Sequence, residues 1–165
     1  MKISIIVAND EEGGIGKDSK LPWRNKADLK HFSLTTQGNG NNAVIMGRNT
    51  WRSLPNPPLA NRTNLVLSTT MQEEEGCRVV KSVEEAIAVA EELGVEELWV
   101  IGGRQTYEAF EATGRVNKYV ITKIEGVYDC DVWYRPDTQD FWILAWHKIE
   151  GGEVTEWIRH MDEPS

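Results

Sequence analysis

Cysteine and long apolar segments are both scarce in this chain. Only two cysteines, Cys77 and Cys130, occur among the 165 residues, and they form no CxxC pair. We therefore expect neither a disulfide framework nor a zinc site, and the three histidines show no metal-ligand spacing. The apolar runs are the size of strands and fall far short of the ~20 residues of a membrane span. With no signal peptide pattern at the amino terminus, the sequence predicts a cytoplasmic protein without a metal.

Positive charge is also in short supply. The chain has 18 lysines and arginines against 26 acidic residues, which gives a formal net charge of −8. A nucleic-acid-binding protein normally presents a basic face, so this class is not expected. An anionic ligand would have to be held by a local cluster of basic side chains and backbone N–H groups.

Predicted strands and helices alternate along the chain, and its length fits one domain over residues 1–165. We predict strands at 3–9, 43–46, 64–67, 78–80, 98–101 and 119–124. We also predict four helices: one at 25–36, a short one that ends at Leu54, one that starts at Ser82 and one that ends at Phe110. Ser82 and Glu85 form a capping box, and Val83, Ile87, Ala90 and Leu93 line one side of that helix. The pattern predicts an α/β fold: a single doubly wound, mainly parallel central sheet of about eight strands, with flanking helices and a C-terminal antiparallel hairpin.

Three glycines, at positions 13, 14 and 16, follow the first predicted strand. They fit neither common nucleotide motif. The dinucleotide fingerprint would need a third small residue where Ser19 stands, and a phosphate loop would need Gly at Glu11. A flexible turn and a loop that covers a ligand are both consistent with these residues.

Asp28 is the most informative single residue. At helical spacing it shares a face with Leu29 and Phe32, a face that should point towards the core. Two interpretations remain open from spacing alone. Either Asp28 complements the helix dipole in the first turn, or it is a lone carboxylate in an apolar pocket, with a raised pKa suited to proton chemistry or to a cationic heterocycle.

Two predicted strands end in glycine-containing turns that lead into helices. One turn is Gly47-Arg48-Asn49-Thr50 and the other is Gly102-Gly103. Backbone N–H groups at such helix starts bind anions, and the Arg48 guanidinium adds a cation. One such turn is common in α/β proteins, whereas two at strand carboxyl ends favour an extended polyphosphate such as a dinucleotide. Arg62, taken alone, is more typical of a surface arginine.

Taken in order, these segments resemble the dihydrofolate reductase family along nearly the whole chain. The residues that carry the resemblance are Ile15-Gly16, Leu21-Pro22-Trp23, Asp28-Leu29 with Phe32, Val44 to Trp51 with Ser53, Leu59, Arg62 to Asn64, Leu67-Ser68, Val100 to Gly103 with Tyr107, and Thr122. The resemblance implies NADPH-dependent reduction of 7,8-dihydrofolate to tetrahydrofolate in one-carbon metabolism. It also implies a cytoplasmic monomer that antifolates would inhibit.

The resemblance assigns roles to matching positions only. It implies that Asp28, Leu21, Trp23 and Thr122 serve catalysis, with a water delivering the proton to N5 of the pterin. The substrate-binding positions would be Ile6, Val7, Asp28, Leu29, Phe32, Ser53, Leu59, Arg62, Ile101, Tyr107 and Thr122. The cofactor-binding positions would be Ala8, Ile15, Gly16, Ser19, Leu21, Gly47, Arg48, Asn49, Thr50, Leu67, Ser68, Thr69, Lys81, Ile101, Gly102, Gly103, Arg104, Gln105, Thr106 and Tyr107.

The chain departs from the family pattern at a few positions. Arg104 and Gln105 follow the glycine pair, where Gly or Ser is common, and Asp131-Val132 stands where Asp-Thr is usual. Two alternatives remain open at this point. One is a reductase of the same fold that acts on a pyrimidine ribityl phosphate in riboflavin synthesis, and the other is a nucleotide-binding regulatory protein without chemistry.

Overall fold

A computed structural model describes residues 1–159, and one eight-stranded sheet forms their centre. In chain order the elements are β1 (Lys2–Asn9), β2 (Gly14–Gly16), α1 (Lys26–Gln37), β3 (Asn42–Gly47), α2 (Arg48–Ser53), β4 (Thr63–Leu67), β5 (Arg78–Val80), α3 (Val83–Glu92), β6 (Glu97–Gly102), α4 (Arg104–Glu111), β7 (Lys118–Ile124), β8 (Val132–Trp133), β9 (Phe141–Ile149) and β10 (Gly152–Arg159). None of the helices in this part of the chain is long and apolar enough to cross a membrane.

The sheet has the order β5-β4-β3-β6-β1-β7-β10-β9. Its first six strands pair in parallel, while β10 runs antiparallel to both β7 and β9. The predicted mainly parallel sheet with a C-terminal antiparallel hairpin is therefore confirmed. A second, two-stranded sheet joins β2 to β8, and the sequence did not predict it because three-residue and two-residue strands carry no detectable periodicity.

Apolar side chains cover both faces of the large sheet. Ile5, Ile45 and Leu65 belong to the cluster on one face, and Val44 and Val66 belong to the cluster on the other. All five are fully buried. Strands buried on both faces are continuous apolar runs rather than alternating ones, which explains the runs seen in the sequence.

Side chains at the first turn fix where the long helices begin. The Asn25 side chain accepts a hydrogen bond from the Asp28 N–H at 2.9 Å, and Ser82 Oγ accepts one from the Glu85 N–H at 3.0 Å. The Glu85 carboxylate accepts from the Lys81 N–H at 2.8 Å, one residue earlier than in a standard capping box. Of the residues predicted to line one side of α3, Ile87 and Ala90 are buried, whereas Leu93 is the C-cap residue and is 48% exposed.

Candidate active site

A cleft of about 1450 Å³ opens at the carboxyl ends of β1, β3, β4 and β6. In open α/β sheets this edge is where ligands bind, because strand ends and helix starts meet there. The cleft brings together all of the predicted substrate-binding and cofactor-binding positions, from Ile6 on β1 to Thr122 on β7. Three segments from distant parts of the sequence, the β1–α1 loop, the β3–α2 turn and the β6–α4 turn, thus line one site.

Asp28 lies in the first turn of α1 with only 5% of its surface exposed. Its side chain hydrogen-bonds with Thr122 on β7. Burial raises the pKa of the Asp28 carboxyl, and the hydrogen bond with Thr122 offsets part of that rise. No lysine, arginine or histidine within residues 1–159 forms an ion pair with Asp28. Of the two interpretations left open by the sequence, the geometry therefore favours a lone, desolvated carboxylate.

Tyr107, on α4, is buried near this carboxylate. Its hydroxyl donates a hydrogen bond to the Ile6 carbonyl at 2.8 Å. Burial raises the pKa of Tyr107 far above its usual range, and the charge of Asp28 adds to that rise. Tyr107 is thus a fixed neutral donor that holds the end of β1 against the start of α4.

Leu29 differs from its expected position on the core side of α1. It is 54% exposed and lies at the wall of the cleft. Phe32, one helical turn further on, is half-buried and packs against the apolar cluster that includes Trp51. The face of α1 that carries Asp28 therefore borders the cleft, and only part of it reaches the core.

Arg62 lines the cleft immediately before the start of β4. Its Nε donates to the Ala60 carbonyl at 2.8 Å and its Nη1 donates to Thr36 Oγ1 at 3.0 Å. Partial burial lowers the pKa of the guanidinium, yet Arg62 takes part in none of the ion pairs within the described residues. Two of its five N–H donors are used, so the fork retains donors for a carboxylate.

The two predicted anion-binding turns both start helices that lack a side-chain cap. Gly47 precedes α2 and Gly103 precedes α4, and neither helix start has a side-chain cap hydrogen bond. Gly102 has a φ of +133°, a conformation that side chains rarely adopt, and a Cβ on Gly47 would lie 3.1 Å from Thr106 Oγ1. Uncapped N–H groups beside glycine backbone fit the diphosphate of a dinucleotide.

The loop after β1 is held by the segment around β8. Gly16 pairs with Val132, and the Asp131 N–H donates to the Gly16 carbonyl at 2.9 Å. The Asp131 carboxylate in turn accepts from the Asp18 N–H at 3.0 Å. Ile15, Gly16, Ser19 and Leu21 from this loop line the cleft, so the unusual Asp131-Val132 pair contacts the loop directly.

Trp23 does not line the cleft, in contrast to the other predicted site residues. It is 7% exposed and meets the ring of Tyr128 edge-on, with the centroids 5.4 Å apart. Its indole N–H is buried without a hydrogen-bond partner among the described residues. A buried unpaired donor costs free energy.

Several residues line the cleft that sequence reasoning missed. Ser33 follows Leu29 by one helical turn, and that i, i+4 spacing could have identified it. The others lie in loops or just inside elements whose direction the sequence does not fix: Lys20, Leu54, Pro55, Thr70, Ser82, Val83, Ala109 and Val132. Within residues 1–159 no group of three or more His, Cys, Asp or Glu side chains could hold a metal, and His160 lies outside the described residues.

Comparison with known proteins gives a family for this arrangement. A family model described as dihydrofolate reductase matches residues 2–157. A dihydrofolate reductase of Drosophila melanogaster is 40% identical, with 81% of this chain and 79% of the relative covered. One from Ureaplasma parvum is 35% identical, with 84% and 85% covered. The dihydrofolate reductase HdrB of Haloferax volcanii is 33% identical, with 87% and 75% covered.

The raised pKa of Asp28 predicts a specific dependence of stability on pH. The pKa of Asp28 in the folded protein lies above the ordinary value of 3.8. Below 3.8 the carboxyl is protonated in both the folded and the unfolded protein, so its burial involves no charge. As pH rises through the folded pKa, the buried carboxyl must ionise and the folded protein loses stability. We expect Asp28→Asn to raise the free energy of unfolding near neutral pH, and to lose this advantage as pH falls towards 3.8.

Urea unfolding of both proteins across this pH range measures the effect. Asp140→Asn, at an exposed position, is the matched control and should behave like wild type at every pH. An Asp28→Asn protein no more stable than wild type at neutral pH would show that the carboxylate is adequately solvated or paired.

Proposed function

The chain belongs to the dihydrofolate reductase family, and we propose that it reduces 7,8-dihydrofolate to 5,6,7,8-tetrahydrofolate with NADPH. It is an oxidoreductase of one-carbon metabolism. The observation that carries the proposal is a single cleft that contains a lone buried carboxylate, an arginine outside the ion pairs formed within residues 1–159 and two uncapped helix starts. The carboxylate matches a cationic heterocycle, the arginine matches a carboxylate tail, and the two helix starts match a diphosphate.

The substrate half of the cleft surrounds Asp28. We assign to Asp28 the hydrogen bonds with the amino group and adjacent ring nitrogen of the pterin, both of which carry N–H and donate to the carboxylate. Thr122 keeps the carboxylate oriented. The apolar wall that excludes water from the ring is formed by Ile6, Val7, Leu29, Phe32, Leu59 and Ile101, with Ser53 at the rim.

Arg62 is assigned to the glutamate tail of the substrate. A bidentate pair between its guanidinium and the α-carboxylate would fix the far end of the ligand. The hydrogen bonds from Arg62 to Ala60 and Thr36 hold the fork in place before the substrate arrives. Because the protein carries a net charge of −8, such a preorganised local cation is required to attract an anionic tail.

The cofactor half is built on the two glycine turns. When bound, NADPH supplies the hydride that reduces C6 of the pterin. Arg48 is the cation assigned to the adenosine 2′-phosphate, which favours NADPH over NADH. The remaining positions assigned to this half are Ala8, Ile15, Gly16, Ser19, Leu21, Gly47, Asn49, Thr50, Leu67, Ser68, Thr69, Lys81, Gly102, Gly103, Arg104, Gln105, Thr106 and Tyr107.

The pterin nitrogen N5 must also gain a proton. We assign its delivery to a water molecule, since Asp28 is committed to the other side of the ring. The Asp28 charge raises the basicity of the pterin electrostatically in a cleft with low solvent access. Leu21, which lines the cleft, is assigned to shield that water from bulk solvent, and Trp23 is assigned to support the segment that carries Leu21 through its packing on Tyr128. We further propose that the protein is a cytoplasmic monomer and that antifolates inhibit it.

One assay tests the proposed function and its rivals together. The protein is mixed with NADPH and dihydrofolate, and near-ultraviolet absorbance reports oxidation of the cofactor. Steady oxidation that depends on dihydrofolate supports the proposal. Oxidation only with a pyrimidine ribityl phosphate would favour the riboflavin-type reductase, and binding of NADPH without turnover would favour a regulatory protein.

Asp28→Asn should retain NADPH affinity and lose most activity. Without the charge, N5 is harder to protonate, so we expect hydride transfer near neutral pH to slow by about a hundredfold or more. Part of the rate should return at low pH, where the substrate is protonated in solution. Single-turnover kinetics across pH measure this, with Asp140→Asn as the control. A rate equal to that of wild type at neutral pH would refute the role of Asp28.

Arg62→Leu should weaken folate binding selectively. Loss of a charge-assisted bidentate pair predicts a Kd for dihydrofolate about tenfold to a hundredfold higher, with the NADPH Kd unchanged. Arg62→Lys is the matched variant, because it keeps the charge but not the planar fork, and it should fall between Leu and wild type. An unchanged folate Kd in Arg62→Leu would exclude this assignment.

A further inference from the structure

Asp10 is a buried carboxylate that lies outside the cleft and joins two loops. It follows β1 directly and is 1% exposed. Its Oδ1 accepts hydrogen bonds from the N–H groups of Glu12 at 2.9 Å and Gly14 at 2.8 Å. Its Oδ2 accepts from the Tyr128 N–H at 3.0 Å. One side chain therefore connects the loop after β1 with the loop before β8.

The two loops meet the cleft through the segment 14–23. Gly14, at one end of this segment, is a direct partner of Asp10. Trp23, at the other end, packs on the ring of Tyr128, whose N–H is also a partner of Asp10. Between them lie the residues that border the cofactor half of the cleft, Ile15, Gly16, Ser19 and Leu21. Asp10 thus reaches both ends of the segment.

The packing around Gly14 leaves no room for a side chain at this position. A Cβ at this position would lie 2.5 Å from both Cβ and Sγ of Cys130 and 3.1 Å from Oδ1 of Asp10. The Cys130 thiol donates to Asp10 Oδ2 at 3.6 Å. Asp10, Gly14 and Cys130 are therefore in close contact. This contact fixes the separation of the two loops, because moving either loop breaks a hydrogen bond to the Asp10 carboxylate.

The carboxylate is charged at neutral pH. Burial alone would raise the pKa of Asp10, but the N–H groups of Gly14, Tyr128 and Glu12 together hold it below its usual value. No cation forms an ion pair with Asp10 in the described part of the chain. The negative charge is therefore balanced by backbone dipoles of the two loops, which makes the anchor charge-assisted.

We propose that Asp10 is a positioning residue that holds the segment 14–23 against the cofactor half of the cleft. The inference rests on the proposed NADPH-dependent reduction. It predicts a selective effect, because within residues 1–159 the side chain of Asp10 bonds to Glu12, Gly14, Tyr128 and Cys130, which belong to the two loop segments and not to α1. Loss of the anchor should weaken NADPH binding and slow hydride transfer, while dihydrofolate binding stays intact.

Asp10→Asn is the most direct variant. An amide has a single acceptor oxygen, so it can serve one loop but turns an NH2 group towards the N–H of the other. We expect the Kd for NADPH to rise about tenfold to a hundredfold, the effect of losing one charge-assisted hydrogen bond. Hydrogen exchange of the segment 14–23 in the ligand-free protein should accelerate, which a loss confined to chemistry would not produce.

Glu97→Gln is the matched control. Its carboxylate is partly buried and, like that of Asp10, bonded to other segments, here to Ser4 Oγ and to Lys118 Nζ, but at the amino ends of β6, β1 and β7, away from the cleft. It should lose thermal stability without a change in NADPH Kd or in exchange of the segment 14–23. If Asp10→Asn behaves in the same way as this control, Asp10 is structural only and the inference is overturned.

Gly14→Ala approaches the anchor from the other side. It leaves the Asp10 carboxylate in place but forces Gly14 away from Cys130, so it should produce the same NADPH-selective defect. The double variant should be little worse than either single one, because both remove the same contact; additive losses would contradict a shared anchor. Failure of wild type to oxidise NADPH would instead disprove the proposed function, which keeps the two failures distinguishable.

Discussion

Burial of the Asp28 charge, with no ion-pair partner among residues 1–159, is the constraint on which the site depends. A desolvated carboxylate is unfavourable, and here the rest of the fold tolerates it: Asn25 fixes its backbone at the start of α1, and Thr122 on β7 supplies a hydrogen bond. Neither partner neutralises the charge. The site therefore keeps its strongest electrostatic interaction for a ligand that brings a positive charge, as a protonated pterin does.

The parallel sheet explains how such different groups meet. Strand carboxyl ends converge at one edge, so the glycine turns before α2 and α4 face the same cleft as Asp28. The protein is acidic overall, and the groups that we propose to bind anions at the cleft are the two helix starts, Arg48 and Arg62. Tyr107 connects the substrate and cofactor halves of the cleft. It lies on α4, which begins at the Gly102-Gly103 turn, and its hydroxyl donates a hydrogen bond to the Ile6 carbonyl on β1.

Much of this architecture follows from local sequence. Apolar runs of strand length, alternating along the chain with helices that carry an apolar stripe, predicted the parallel sheet. Ser82 predicted the start of α3. What the sequence did not reveal depends on contacts between distant segments. The β2–β8 pairing joins residues more than a hundred positions apart, Trp23 packs on Tyr128 and does not line the cleft, and the role proposed for Asp10 requires Tyr128 and Cys130 to be near it.

The most direct test is a titration of the Asp28 carboxyl itself in the ligand-free protein. Carbon-13 NMR of protein labelled at aspartate carboxyl carbons follows each group separately, and the signal missing from Asp28→Asn assigns the resonance. We expect a pKa above the ordinary aspartate value of 3.8, and ionisation of the group when a protonated pterin analogue binds. A pKa at or below that value in the free protein would contradict the central claim.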